Sequence, residues 1–331
     1  MFWLAKNERF AQEYVKDMGV VVHERILQER RCATNKVCIA VLNEMLKEES
    51  DYFYEKILRM NPDKMMSFYF KWKRDFPCKK NNRSIYGSNK EPRLNSGSDL
   101  SRMLRQIFDY TEFSKKECNW KWNAYRFTEK LGVQVCPYCG RQFVNTVIAK
   151  GTRKKPVDKE VCIIRAELDH YIPKGKFPMF ALSFYNLIPA CHFCNSSIKH
   201  TRELSVDKHI HPYIKSEADF KFIYEREEKE VSLIFDNDDD EKVKNTCDFF
   251  RIKDVYQAHA DMAEKYYAEA ESFSRSLLED YQNFLRNKLE RNVTKKEILL
   301  HKFGISEDTE NEVIGKFRNN IVDDIVEMYM G

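Results

Sequence analysis

The sequence predicts an α+β protein that is mainly helical and is built around one short cysteine-bounded module. Apolar residues recur at three- and four-residue spacing over much of the chain, which is typical of helices. β-Branched residues concentrate in a few short runs, which favours small sheets. Two Cys-X-X-Cys pairs bracket one of these runs. A chain of 331 residues with 43% hydrophobic content can form about two or three packed units.

Helices are predicted on both sides of a loop in the first part of the chain. Residues 1–77 are predicted to be a helical N-terminal region, in which KVCIAVLNEMLKEESDYFYEKIL has helical spacing throughout. Residues 78–100 are rich in Asn, Ser, Gly, Pro and Lys and lack periodicity, so they are predicted to be a linker or loop. Residues 101–135 are predicted to be a second helical stretch that leads directly into Cys136.

The module at 136–211 has a different character. The run VCIIRAELDH is rich in β-branched residues and predicts a strand that ends at Asp169 and His170, and NLIPA predicts a second, short strand. The segment CHFCNSSIKHTRE predicts the start of a helix with Asn195 in its first turn. Before the first of these strands, NTVIAKGTRKKPVDKE is polar and basic, which indicates an exposed hairpin or loop.

Residues 212–331 are predicted to be an acidic C-terminal region with a hairpin and a helix. FKFIYE and VSLIFD flank the charged REEKE as two arms of a hairpin would, and an acidic loop, DNDDDE, follows. Beyond it the sequence predicts a long helix with an apolar stripe. The stripe consists of Met262, Tyr266, Ala270, Phe273, Leu277, Tyr281 and Phe284.

The charge is distributed unevenly along the chain. Lys and Arg outnumber Asp and Glu by 26 to 18 in residues 1–135 and by 12 to 6 in residues 136–211. In residues 212–331 they are outnumbered, 18 to 28. Because a phosphate backbone is attracted by local positive potential, the first two segments are the expected nucleic-acid face.

Composition also limits the compartment. No apolar run approaches the roughly 18 to 20 residues that cross a bilayer. The stretch MFWLAKNERF becomes charged at once and lacks the pattern of a signal peptide, so a cytoplasmic protein without a membrane partner is expected. In that reducing compartment, paired cysteines more often hold a metal than form disulfides.

The four paired cysteines predict a structural zinc site. Cys136 and Cys139 form one pair, and Cys191 and Cys194 form the other. Four thiolates are the number that a tetrahedral zinc requires, at about 2.3 Å per Zn–S bond. The alternative is four buried thiols without a metal.

Between the cysteine pairs lie residues suited to phosphodiester hydrolysis. A divalent ion can stabilise charge at the phosphate and assist the leaving oxygen, and Asp169 and the amide of Asn195 offer the oxygen ligands that hard cations prefer. His170 follows Asp169 directly, so a bend at the strand end, near Pro173, is needed to bring both side chains to one phosphate. Lys199 lies one helical turn beyond Asn195, where it is expected to bind a substrate phosphate.

These residues resemble the motif of the HNH endonucleases. The matching residues are LDH at 168–170, Asn186 and Asn195, enclosed by the two cysteine pairs, and the third motif position is Asn here rather than His. The resemblance covers about residues 136–205. It implies a zinc-stapled ββα-metal (HNH) core within the mainly helical α+β protein.

The resemblance also implies a role for each motif residue. His170 would be the general base that activates water, which suits a side chain whose ordinary pKa lies near neutrality. Asp169 and Asn195 would bind one Mg²⁺ or similar divalent ion. Asn186 would brace the loop that orients His170.

A narrower resemblance suggests a biological setting. CPYCG followed by LDHYIPKGKFPMFALSFYNLIPACHFCNSSIK is similar to stand-alone HNH proteins of bacterial anti-phage systems, especially the HNH component of Septu-type and retron-associated systems. In those systems the nuclease acts with an ABC/SMC-like ATPase. The resemblance therefore implies a metal-dependent endonuclease, with DNA as the favoured substrate, in an antiviral defence complex.

Two other functions remain open at this level. One is an HNH nuclease that cleaves RNA, such as a transfer RNA, because the motif contacts the backbone and does not reveal how a 2′-hydroxyl is treated. The other is a zinc-stapled nucleic-acid-binding module whose HNH residues no longer catalyse. Such a module would bind equally well with or without Mg²⁺ and would not cut.

Overall fold

The computed structural model confirms the α+β class, with about half of the chain helical and only small antiparallel sheets. It describes residues 3–47, 52–77, 85–149, 161–216, 218–236, 241–272 and 275–330. Over these ranges there are thirteen α-helices and three two-stranded sheets. None of the helices in the described ranges has both the length and the apolar character needed to cross a membrane.

Within the described ranges, seven helices precede the cysteine module. They are α1 (Glu8–Cys32), α2 (Lys36–Met45), α3 (Phe53–Leu58), α4 (Pro62–Asp75), α5 (Asp99–Ile107), α6 (Tyr110–Ser114) and α7 (Ala124–Leu131). Polar side chains cap most of their N-termini; for example, Asn7 accepts from the amide of Phe10 and Asn123 from that of Arg126. The segment 36–58, which has helical spacing, contains α2 and α3, and residues 48–51 between them lie outside the described residues. Helix α3 begins where Glu55 accepts from the amide of Tyr52.

Aromatic packing joins the N-terminal helices to the centre of the module. The ring centroids of Phe10 and Tyr14 on α1 lie 5.1 and 5.6 Å from that of Phe184, in the module. The hydroxyl of Tyr14 donates to the carbonyl of Leu182 at 2.9 Å, and that of Ser183 donates to the carbonyl of Ile57 at 2.8 Å. The loop that contains Leu182, Ser183 and Phe184 is therefore buried against the N-terminal helices.

The six strands of the described residues form three separate antiparallel pairs. They are β1 (Val147–Ala149) with β2 (Val161–Ile164), β3 (Glu167–His170) with β4 (Leu187–Ala190), and β5 (Phe220–Glu225) with β6 (Glu230–Phe235). The predicted second strand at NLIPA and the predicted hairpin after residue 212 are confirmed.

The prediction of one strand over VCIIRAELDH is wrong. β2 pairs with β1, whereas β3 pairs with β4, so the run is divided at Arg165 and Ala166 between two sheets. β-Branched composition indicates extended backbone but does not specify the partner strand. The basic segment 150–160 and the acidic loop at 237–240 lie outside the described residues.

Six helices are present in the described part of the C-terminal region. They are α8 (Glu241–Phe249), α9 (Ile252–Gln257), α10 (Ala260–Glu271), α11 (Arg275–Leu289), α12 (Lys295–Lys302) and α13 (Gly315–Met330). The predicted long helix is thus present as two helices, α10 and α11, and Phe273 lies outside the described residues. On α10 the apolar stripe is buried or half-buried, whereas Tyr281 and Phe284 on α11 are 49% and 52% exposed.

The C-terminal region packs directly against the first cysteine pair. The hydroxyl of Tyr256 donates to the carbonyl of Cys139 at 2.8 Å, and the amide of Ile314 donates to the carbonyl of Gly140 at 2.7 Å. The Phe250 ring stacks on that of Tyr138 with a centroid separation of 4.4 Å. The turn that carries Cys136 and Cys139 therefore packs directly against the C-terminal region, including α9.

His211, at the end of the module, is expected to make folding sensitive to acid. Its ring is buried 4.2 Å from that of Tyr171, and Nδ1 accepts from the amide of Tyr213; among the residues that the structure describes, Nε2 has no partner. Burial, aided by the charge of Lys6, lowers the pKa of His211 to about 3. The unfolded chain binds a proton near the ordinary pKa of 6.5 and the folded chain does not, so stability falls as pH drops from about 6.5 towards 3.

The comparison is between wild type and His211→Asn, whose amide oxygen can replace Nδ1 as the acceptor. Between about pH 7.5 and pH 5.5, wild type should lose roughly 1 kcal/mol more free energy of unfolding than the variant, measured by urea denaturation. Other titrating groups contribute to both proteins and cancel in the difference. Parallel losses in the two proteins would contradict this role of His211.

Candidate functional site

The first cysteine pair lies in a tight turn that only glycine closes easily. The amide of Gly140 donates to the carbonyl of Cys136 at 2.8 Å, and Gly140 adopts a φ of 63°. The next amide, that of Arg141, donates to Sγ of Cys139 at 3.4 Å. Amide hydrogen bonds of this kind stabilise a sulfur that carries negative charge.

The second cysteine pair completes a four-sulfur cluster. All four Sγ atoms are buried and lie within 4.8 Å of one another, and Sγ of Cys139 is 3.9 Å from Sγ of Cys191. A tetrahedral zinc with bonds of about 2.3 Å separates its sulfur ligands by about 3.8 Å. The predicted convergence of Cys136, Cys139, Cys191 and Cys194 is confirmed, and the cluster can hold a zinc ion.

The buried position of these thiols affects how a cation would bind among them. Burial raises the pKa of Cys136 well above its ordinary value, and the neighbouring sulfurs of Cys139 and Cys191 raise it further. Four thiolates in this space would repel one another unless a positive charge lies between them. A metal ion supplies that charge and exchanges for the thiol protons.

Asp169 on β3 is held by two donors. Its side chain is 3% exposed. The hydroxyl of Tyr138 donates to Oδ2 at 2.7 Å, and the ammonium of Lys199 donates to Oδ1 at 2.5 Å. Because Tyr138 lies between Cys136 and Cys139, the first cysteine turn directly positions the Asp169 carboxylate.

His170 has an environment that keeps its ring neutral. Nε2 is 3.0 Å from the carbonyl oxygen of Ala181, and the Tyr110 ring packs edge-on at a centroid distance of 4.4 Å. Burial lowers the pKa of His170 well below its ordinary value, and the charge of Lys174 lowers it further. A carbonyl can only accept, so Nε2 carries the proton and Nδ1 keeps a lone pair.

Asn186 ties together the loop that follows β3. Its Oδ1 accepts from the amide of Ile172 at 2.7 Å, and its Nδ2 donates to the carbonyls of Ile172 and Phe180, each at 3.0 Å. The residue is fully buried. Since Ala181 follows Phe180 in the chain, Asn186 fixes the loop segment whose carbonyl bonds to His170.

Asn195 has its orientation set by a carboxylate. It lies in the π-helix Phe193–Lys199, and its Nδ2 donates to Glu167 at 2.9 Å. A carboxylate accepts only, so the amide oxygen of Asn195 points away from Glu167 and is left as an acceptor. Glu167 also accepts from Ser196 and His192. Burial raises the pKa of Glu167, but these three hydrogen bonds outweigh it and lower the pKa.

Lys199 ends the same helix and is buried, with its side chain only 5% exposed. Besides its bond to Asp169, the Nζ ammonium donates to the carbonyl of His170 at 2.8 Å. In the structure Lys199 thus links the two adjacent residues of the motif and does not present its charge to solvent. Lys174 is an exposed cation nearby, and its Nζ lies 4.7 Å from the Tyr110 ring centroid.

Sequence reasoning missed three residues of this arrangement. Nothing in the sequence assigned a role to Tyr138, which lies within CPYCG. Glu167 lies two residues before Asp169, which places both carboxylates on one face of β3. The spacing of Glu167 and Asp169 could have identified Glu167 as a site residue. No sequence pattern identifies Lys174, because its position above Tyr110 depends on a contact between distant segments.

A Tyr138→Phe substitution is expected to weaken the fold by about 1.5 to 3 kcal/mol, because it removes one of two donors to a buried carboxylate. Urea denaturation measures the loss. The matched control is Tyr171→Phe, which removes a longer bond of 3.3 Å to a neutral carbonyl and should cost about 1 kcal/mol or less. Equal losses of unfolding free energy in the two variants would mean that the bond to Asp169 stabilises the fold no more than the bond to a neutral carbonyl does.

No family model matches this chain, and neither the curated proteins nor the solved structures contain a match to it.

Proposed function

We propose that this protein is a metal-dependent HNH-type endonuclease that hydrolyses phosphodiester bonds in nucleic acid. The observation that supports this best is the state of His170: a neutral ring with Nε2 bonded to a backbone carbonyl and a lone pair at Nδ1, directly beside an acidic residue. A general base must be unprotonated and correctly oriented before it can take a proton from water. Burial favours the neutral ring and the bond to Ala181 fixes its tautomer, and both features support this role.

The other motif residues support this proposal through their positions. Asn186 fixes the loop that orients His170, and Asp169 and Asn195 offer a carboxylate and an amide oxygen of the kind that hard cations bind. We propose that these two residues hold Mg²⁺ or a similar ion, which when bound would stabilise charge on the phosphate. Lys199 already bonds to Asp169 Oδ1, so the ammonium must share the carboxylate with such an ion or move.

We assign zinc to the four cysteines in a structural role. Its effect on catalysis would be indirect, because the cysteine turn carries Tyr138 and Tyr138 bonds to Asp169. The thiolates must remain reduced, which fits the proposed cytoplasmic location.

The surface near His170 fits a polyanion. Lys174 lies over the Tyr110 ring, and the guanidinium of Arg165 lies 4.9 Å from the centroid of Tyr125. Cations beside aromatic rings can bind phosphates and stack bases. We favour DNA as the substrate on the basis of the motif's resemblance; RNA is the alternative.

The deciding experiment incubates the purified chain with plasmid DNA and, separately, with total RNA, in Mg²⁺ or in EDTA. Cleavage of DNA that requires Mg²⁺ supports the proposal. Cleavage of RNA alone would mean that the nuclease acts on RNA. Binding that is unchanged by EDTA, without cleavage of either polymer, would overturn the nuclease proposal in favour of a binding module. Because a partner can be required for activity, the assay is repeated with any protein that co-purifies.

We further propose that α11 contributes to a partner interface in an antiviral defence complex, the partner being an ABC/SMC-like ATPase. Tyr281 and Phe284 expose about half of their surface on one side of this helix, within the acidic segment that is least suited to nucleic acid. Deleting the whole segment is not informative, because Phe250 and Tyr256 also support the first cysteine turn.

The double variant Tyr281→Ser, Phe284→Ser is expected to lose the partner while keeping the zinc and the affinity for nucleic acid. Exposed side chains contribute little to folding, and the removed apolar area is what a helix-binding surface would bury. A pull-down with the tagged chain and a salt-titrated nucleic-acid binding assay measure the two effects. The control is Met328→Ser, which removes an equally exposed apolar residue from α13. Full retention of the partner by the double variant would show that this face of α11 is not the partner interface.

A further inference from the structure

An exposed lysine on the loop after β3 lies beside the proposed general base. The Nζ of Lys174 is 4.7 Å from the centroid of the Tyr110 ring. The same ring packs against His170, with a centroid separation of 4.4 Å. Among the residues that the structure describes, Lys174 forms no ion pair. Its positive charge is therefore available to a ligand that approaches His170.

The backbone on both sides of Lys174 is fixed by hydrogen bonds. Before it, the amide and the carbonyl of Ile172 bond to the side chain of Asn186 at 2.7 and 3.0 Å. After it, the carbonyl of Gly175 accepts from the guanidinium of Arg105 on α5 at 3.2 Å. Because Asn186 also fixes the loop segment that bonds to the proposed base, one buried side chain sets the positions of the base and of this lysine relative to each other.

A second cation lies near the same ring. Burial raises the pKa of Tyr110 to about 12, and the charge of Arg165 acts in the opposite direction, which places this guanidinium within electrostatic range of the Tyr110 hydroxyl. Arg165 is half-buried over the Tyr125 ring and has no carboxylate partner in the described part of the chain. The Tyr110 hydroxyl keeps its proton at neutral pH and has no hydrogen-bond partner among the described residues, so it can donate to a ligand.

These groups suit the phosphates of a nucleic acid better than its bases. A cation already lies over one face of each ring, Lys174 over Tyr110 and Arg165 over Tyr125, so a base cannot stack on those faces. Two positive charges and a hydroxyl donor remain for a ligand. Lysine, arginine and tyrosine side chains are among the usual contacts to phosphate oxygens in protein–DNA complexes, and such contacts carry no base information.

We propose that Lys174 is the residue that positions a substrate phosphate beside His170. Arg165 and the Tyr110 hydroxyl would hold a neighbouring phosphate of the same strand. This role rests on the proposed nuclease function and specifies its substrate contact, which is the sugar-phosphate backbone, bound without regard to base sequence. The sequence predicts Lys199 for this contact, but the structure pairs that ammonium with a buried carboxylate, whereas Lys174 is exposed.

The test measures binding of a labelled duplex DNA to the full chain in EDTA, by fluorescence anisotropy, between about 50 and 200 mM salt. Lys174→Gln should weaken binding about tenfold at the lower salt concentration and reduce the slope of log affinity against log salt by about 1, because one phosphate contact is lost. Duplexes of unrelated base sequence should show the same losses. Lys174→Arg keeps the charge and should keep the slope. The control is Lys265→Gln, which removes an exposed lysine from α10 and should bind like wild type.

Binding in EDTA separates this contact from the proposed cleavage. Lower affinity and a lower slope for Lys174→Gln support the contact, even if wild type cuts no substrate. If wild type cuts DNA while Lys174→Gln keeps the wild-type affinity and slope, the nuclease proposal stands and the role of Lys174 is wrong. A loss that Lys174→Arg shares would indicate a structural role and would also overturn it. A duplex RNA of the same sequence is measured in parallel: the expected losses on either duplex support the contact, and no binding of either by wild type would overturn it.

Discussion

Cys139→Ser is expected to abolish zinc binding and to leave the module unfolded or insoluble. A structural zinc contributes on the order of 10 kcal/mol to folding, which is as large as the whole stability of a typical domain. The effect should spread because the turn around Cys139 contacts Tyr256 and carries Tyr138, which bonds to Asp169. Metal analysis of wild type should find one zinc per chain.

The matched control for this prediction is Cys247→Ser. Cys247 is also buried but lies outside the cluster, so this variant should keep its zinc and lose only a modest amount of stability. Zinc content by mass spectrometry and thermal melting are measured on both variants. A folded wild-type chain without zinc, or a Cys139→Ser variant that melts like the control, would contradict the assignment.

His170→Ala is expected to lower the cleavage rate by roughly 10²- to 10⁴-fold while affinity for nucleic acid stays nearly unchanged. A base acts on water and does not hold the substrate, so its removal should affect the chemical step alone. The buried ring also packs on Tyr110 and bonds to the Ala181 carbonyl, so zinc content and melting must be compared first.

The control for His170→Ala is His301→Ala, an exposed histidine on α12 far along the chain. It should cleave at the wild-type rate. Rates are measured at saturating Mg²⁺, and affinities are measured in Ca²⁺ or EDTA so that cutting does not interfere. Wild-type cleavage by His170→Ala would show that another group is the base, whereas a loss of affinity equal to the loss of rate would indicate a structural role.

The sequence by itself determined the features that depend on local spacing. Two residues between cysteines, with a glycine after the first pair, are enough to predict a turn that brings both sulfurs to one point. The strand at NLIPA and the hairpin at 220–235 were likewise predictable, because strand length and turn residues are properties of neighbouring positions. The boundaries of helices within 36–58 and 262–284 were not, since apolar spacing can continue across a break between two helices.

Only the tertiary structure decided how the candidate site is held. Tyr138 and Asp169 are 31 positions apart, and Tyr256 and Cys139 are 117 apart, so no local pattern could pair them. Burial is also a property of the whole fold: it keeps His170 neutral and turns Lys199 inward to Asp169, where sequence reasoning expected a lysine facing the substrate. A buried ammonium must find a carboxylate or a carbonyl, and which of them lies within reach is set by the packing of segments that are distant in the chain.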